Sequence, residues 1–120
     1  MLVADSGVVE MKLEQVVVPV SDVDRARHFY RALGFRLDRD EVVDGFRVVQ
    51  LTPPGSACSI LVGTNLGSGR PGSSSCALRV ADLEEACAEL RGHGAALGPV
   101  RASRVGFSDP DGNEWLLVGG

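Results

Sequence analysis

The chain is poor in the residues that announce most functions. Aromatics make up 5% of its 120 residues, with four Phe, one Tyr and one Trp, so the core must be built mainly from Val, Leu and Ala. Only two histidines and three cysteines are present. Cys58, Cys76 and Cys87 are odd in number and lack CxxC spacing, which argues against a disulfide framework and suits a reducing cytoplasm. Their small size suits them to filling the interior. There is no excess of positive charge: the formal net charge is −4, so the basic footprint of a nucleic-acid binder is missing. Long apolar runs are also missing, and Val16–Val20 is far below the ~20 residues that span a bilayer. No basic stretch precedes an apolar core at the start, so no secretory signal is expected. Hydrophobic content of 44% with 23% charge is that of a soluble single domain and excludes disorder, collagen-like repeats and coiled coil.

What the sequence does have is an internal repeat. Shifting the chain by 60 residues places Val20 on Val80, Asp22 on Asp82, Ala26 on Ala86, Arg31 on Arg91, Gly34 on Gly94 and Leu37 on Leu97. These identities fall at strand end, helix cap, helix face and helix stop. Gln15–Val20 reads as a buried strand. Ser21 or Asp22 can cap a helix carrying Val23, Ala26, Phe29, Tyr30 and Leu33, which Gly34 ends in a left-handed conformation. In the second half, Asp82 and Glu85 have capping-box spacing, Leu83, Ala86, Cys87 and Leu90 form the apolar stripe, and Gly92 and Gly94 end the helix. Phe35–Leu37, Gly45–Leu51 and Cys58–Val62 read as strands after the first helix; Ala96–Arg101, Arg104–Ser108 and Glu114–Val118 read as strands after the second. Asp44-Gly45, Pro53-Pro54-Gly55 and Asp109-Pro110-Asp111-Gly112-Asn113 are turn signals. Residues 1–10 suggest a frayed lead-in or an added edge strand.

The order strand–helix–strand–strand–strand, twice, resembles the vicinal oxygen chelate superfamily of glyoxalases, extradiol dioxygenases and bleomycin-resistance proteins. The resemblance rests on Val18–Asp24 with Phe29–Phe35, on Val80–Glu85, and on Asp109–Asn113. It implies an α+β fold of two tandem βαβββ modules, a curved mixed sheet around a cavity with helices on the convex face. The single domain divides into module one at about residues 13–63, a linker at about 64–74 and module two at about 75–119. It also implies a homodimer, often with each cavity shared between two chains.

Enzymes of this superfamily hold one divalent metal, which polarises two neighbouring substrate oxygens, on four strand positions. Transferred position by position, these fall on Gln15, on or near Ser59, on Ser75 and on Leu116. One neutral amide is a poor holder of a divalent ion. Glu114 has the same strand parity as Leu116 and lies one pleat repeat, roughly 6–7 Å, away. The expectation is therefore no metal and no cofactor, with Leu116 turning the site into an apolar ligand pocket. Phe46 and Gln50 share parity on the third strand and are expected to line that pocket, Phe46 by stacking and Gln50 by hydrogen bonding; Arg47, Val49 and Leu51 form the alternative face. Trp115 should face the helix layer, and Arg79 should sit at the rim or at a solvated strand end.

The expected function is a metal-free, cytoplasmic small-molecule-binding protein that sequesters a hydrophobic or aromatic natural product such as an antibiotic. No nucleic-acid or membrane partner is expected. One alternative is a metal-independent isomerase, lyase or cyclase with Glu114 as its candidate acid–base. The other is a divalent-metal glyoxalase- or dioxygenase-like enzyme. Residues Gly67–Gly72 spell GxGxxG, but Pro71 interrupts the motif and a strand follows it, so a linker, with a lid role if it overhangs the cavity, is expected instead of a dinucleotide fingerprint.

Overall fold

In a computed structural model, residues 8–120 are described. The chain forms β1 (Gln15–Val17), α1 (Val23–Ala32), β2 (Arg36–Val43), β3 (Phe46–Thr52), β4 (Ser59–Gly63), β5 (Ser75–Val80), α2 (Leu83–Gly92), β6 (Arg104–Ser108) and β7 (Glu114–Gly119). The first sheet has the order β1-β4-β3-β2 and the second β5-β7-β6. Each is mixed: β1 pairs with β4, and β5 with β7, in parallel, and the remaining pairs are antiparallel.

Both helices start as their sequences predict. The Asp22 and Asp82 carboxylates each accept a hydrogen bond at 3.0 Å from the backbone N–H three residues on, at Arg25 and Glu85. Gly34 and Gly94 then turn the chain at φ +99° and +91°, values that L side chains rarely adopt. Asp44 and Gly45, both at positive φ, make the two-residue hairpin that pairs Val43 with Phe46.

Three expectations need correction. The first strand ends at Val17 and leaves Gln15 and Val17 exposed, not buried. Ala96–Arg101 is not a strand: it reaches β6 only through Gly98 N–H to Gly106 O (2.9 Å) and a bridge between Arg101 and Arg104. Pro99 has no N–H to give to a ladder, which accounts for the gap. Cys58 and Cys76 are only half-buried, while Cys87 is buried. The expectation for residues 1–7 lies outside the described residues, and residues 8–14 belong to no named strand.

One core serves both halves. Val49, Leu51, Ile60 and Val62 from the first sheet meet Val105, Phe107, Trp115 and Leu117 from the second, with Ala26 and Tyr30 of α1 and Cys87 of α2 among them. Trp115 packs its ring against Tyr30 (5.8 Å), Phe35 (5.7 Å) and Phe107 (6.2 Å). Its indole N–H donates to the Tyr30 hydroxyl at 2.9 Å. Trp115 therefore faces the helix layer, as its strand parity predicts. The helix-facing sides of the two sheets thus meet in the middle, and their opposite faces look outward.

The Asp109–Asn113 turn clasps the halves together. The buried Asp109 carboxylate accepts from the Tyr30 hydroxyl (2.7 Å), from the backbone of Asp111 and Asn113 (2.9 Å each) and from the Asn113 amide (2.8 Å). Asn113 also donates to Pro19 O (2.7 Å), and its own carbonyl accepts from the Ser74 N–H and hydroxyl (3.0 Å each). Asp111 accepts from the Ser21 N–H (3.1 Å) and hydroxyl (2.6 Å). Burial and the bond to Asp109 push the Tyr30 phenol well above its ordinary pKa. The glycine-rich linker is pinned here too. Gly72 N–H donates to Pro19 O, and a Cβ at Gly72 would lie 2.2 Å from Asp111 O. It leads into β5 and opens no helix, so its GxGxxG spelling has no dinucleotide role.

Candidate functional site

The strand registers divide the expected site residues between the two outward faces. On the first sheet, Ser59 stands between Gln15 of β1 and the Gln50 neighbourhood of β3. Val49 and Leu51 are buried in the core, so Phe46, Val48, Gln50 and Thr52 belong to the outward face. Gln50 donates from Nε2 to Ser59 Oγ at 3.1 Å, and Ser59 Oγ lies 2.7 Å from Thr52 Oγ1. Phe46 shares that face but lies four residues, roughly 13 Å, along the strand. It is 44% exposed at the hairpin end, outside this cluster.

The cluster continues into a residue outside the expected set. The Thr52 hydroxyl donates to the Asp38 carboxylate, which also accepts from Arg36 Nε at 2.5 Å. The ladder between β2 and β3 slips between Leu37 and Arg39. Such a bulge adds one residue and re-aims its side chain, which is how Asp38 reaches the outward face beside Thr52. The Arg36 guanidinium, then the Thr52 hydroxyl, hold the Asp38 carboxyl below its usual range. Asp38 was missed because a bulge leaves no periodic signature. Thr52 alone could have been found, since it continues the Phe46–Gln50 parity.

On the second sheet, Ser75, Glu114 and Ser108 lie in one row, and Ala77, Leu116 and Gly106 in the next. A cavity of about 500 Å³ opens on this face, lined by Ser75, Ala96, Gly106, Ser108, Glu114 and Leu116. Ser75, Leu116 and Glu114 are thus brought together, with Glu114 on the face of Leu116 as strand parity predicts. The irregular Ala96 segment walls the cavity where a regular strand was expected. Gln15 and Gln50 do not line it. Ser59 and Ser75 share a separate hollow of about 340 Å³ between the halves, walled also by Cys58 and Cys76. Burial, and secondarily the neighbouring Cys58, push the Cys76 thiol up. Arg79 is exposed.

The donor set at the four strand positions does not suit a divalent metal. It consists of one amide, two hydroxyls and an alkyl chain, and the Ser59 hydroxyl is already engaged by Gln50 and Thr52. Among the described residues no three His, Cys, Asp or Glu side chains gather where they could hold an ion. His93 is engaged with Glu89 at 3.1 Å. No helix among them is long and apolar enough to cross a membrane.

A family model described as the Glyoxalase/Bleomycin resistance protein/Dioxygenase superfamily matches residues 12–117. Among solved structures, TnmS3, an antibiotic binding protein from Streptomyces sp. CB03234, is 32% identical with a TM-score of 0.81, over 93% of this chain and 98% of that one. A glyoxalase/bleomycin resistance protein from the same organism is 34% identical with a TM-score of 0.77, over 89% and 99%. The trypanothione-dependent glyoxalase I of Leishmania major is 25% identical with a TM-score of 0.68, over 92% and 87%. No match was found among curated proteins. With nearly its whole length matched, the chain belongs to the glyoxalase/bleomycin resistance protein/dioxygenase superfamily.

Proposed function

We propose that the protein is a metal-free small-molecule binder that sequesters a hydrophobic or aromatic natural product, such as an antibiotic, and acts as a homodimer. The observation that carries this reading is Leu116. At a strand position where relatives that are enzymes place a metal ligand, an alkyl side chain lines the 500 Å³ cavity beside Ala96 and Gly106. That volume falls in the range of small-ligand sites. The likeness to TnmS3 gives further support, since that relative is described as an antibiotic binding protein.

The dimer is supported by shape. The radius of gyration is 15.8 Å, against about 13.5 Å for a compact domain of this length. Both candidate faces look outward, and Val42, Val43 and Phe46 stand exposed at the edge of the first. A second copy, setting its second sheet opposite this first sheet, would close a two-sided cavity and join the Gln50 cluster to the Leu116 surface.

Native mass spectrometry of protein purified without a chelator tests the reading. The expected result is a dimer carrying an organic adduct. The released compound, incubated with fresh protein, should come back with unchanged mass; its conversion would overturn the reading. Glu114 favours one second reading, a metal-independent isomerase, lyase or cyclase, because it is a carboxylate in the cavity wall. On that reading a Glu114→Gln variant loses turnover. On the binding reading it keeps its ligand.

A further inference from the structure

The hydrogen-bond chain on the first sheet has a direction, and that direction can be derived. An ionised carboxylate only accepts. The Thr52 hydroxyl proton is therefore committed to Asp38. Thr52 Oγ1 must then accept from Ser59, which commits the Ser59 proton to Thr52. Ser59 Oγ is left as an acceptor, and the group facing it on Gln50 must be the amide N–H₂. The order is forced from the charged end, independently of how the Gln50 amide is drawn. Thr52 and Ser59 are 2% and 5% exposed, so water cannot readily substitute for either link. The Gln50 carbonyl oxygen receives no hydrogen bond from the described residues, yet no buried side-chain oxygen among them lacks a partner. It is therefore open to the outward face.

We propose that Asp38 and Thr52 are positioning residues that fix the polarity of Gln50, so that it presents its carbonyl oxygen to the ligand and selects an O–H or N–H donor, such as a phenol, at that point. The ligand half of this inference rests on the binding reading above; the polarity of Gln50 stands without it. Glutamine is ordinarily ambivalent, since it can turn either end to a partner. Here a charge three links away removes the choice. A ligand offering only an acceptor, such as an aryl ether, would face a carbonyl with no proton between them and would forfeit that hydrogen bond.

The test uses two readouts on the intact protein. The first is the Gln50 side-chain amide in ¹⁵N-resolved NMR. In the wild type its two protons should be widely separated in shift and slow to exchange with water. Thr52→Val should collapse both signatures, and Thr52→Ser, which retains the hydroxyl, should restore them. The second compares 1-naphthol with 1-methoxynaphthalene, which differ in the O–H donor. Naphthol should bind about fivefold more tightly to the wild type and to Thr52→Ser, with the preference lost in Thr52→Val. An amide signature untouched by Thr52→Val, in protein with an otherwise native spectrum, overturns the polarity. Equal binding of the two probes with a responsive amide overturns the donor requirement. Binding of neither aromatic, with the amide responding, counts against the binding reading and leaves the polarity upheld.

Discussion

The two halves of the chain begin alike and end differently. Each opens with a strand, an aspartate-capped ten-residue helix and a left-handed glycine. They part at the turn before the last strand. In the second half that turn is Asp109–Asn113, whose side chains reach across to Pro19, Ser21 and Tyr30. In the first half it is Pro53–Ala57, which satisfies itself through Ser56 N–H to Pro53 O and a Ser56–Cys58 pair. Beside it lies a largely apolar hollow of about 430 Å³, walled by Leu33, Phe35, Pro54, Leu78 and Leu90. The repeat preserves what each unit needs in order to fold; the halves diverge where they are joined and on their outer faces. One face carries a polar relay, the other a cavity in which Leu116, Ala96 and Gly106 stand beside Ser75, Ser108 and Glu114.

Breaking the clasp should produce the largest effect. Asp109→Ala leaves the buried Tyr30 hydroxyl and Asn113 groups without their acceptor, and each buried orphan costs about 1–3 kcal/mol. A loss of at least about 3 kcal/mol in urea unfolding is expected. A loss below 1 kcal/mol would show that the turn does not join the halves. Tyr30→Phe should cost less, about 1–3 kcal/mol at neutral pH, because one hydroxyl serves both Asp109 and Trp115. It also has a pH signature. The folded phenol titrates above its unfolded value of about 10. Wild-type stability should therefore be full below pH 10 and fall above it, as the unfolded chain releases a proton that the folded chain retains. Tyr30→Phe should flatten that fall; an unchanged alkaline limb would place its cause elsewhere. The matching change in the first half, Ser56→Ala, should cost least, under about 1 kcal/mol, because its bonds are local to one half-buried turn. A cost equal to that of Asp109→Ala would erase the difference between the halves.

The helix caps, the hairpin at Asp44-Gly45 and the inward face of Trp115 were legible in the sequence because each depends on local chemistry or strand parity. The Asp109–Asn113 motif was legible as a turn but not as a clasp, since its partners in the first half lie 79 to 94 residues away. The missing strand at Ala96–Arg101 was hidden by an apolar pattern that Pro99 overrides. At the candidate site, parity placed Glu114 on the face of Leu116 and Gln50 on that of Phe46. It could not show that one chain turns these two groups outward on different sheets, nor that a bulge brings Asp38 to Thr52. Both depend on long-range packing and on register, which residue order alone does not carry.

The central claim is that the metal positions of the superfamily have become a ligand surface. Equilibrium dialysis of the protein against Ni²⁺, Zn²⁺, Mn²⁺ and Fe²⁺ in turn, followed by elemental analysis, tests it most directly. The account predicts that no ion is retained in stoichiometric amount, in the wild type or in Gln15→Leu. Retention of about one ion per cavity, lost in Gln15→Leu, would contradict it.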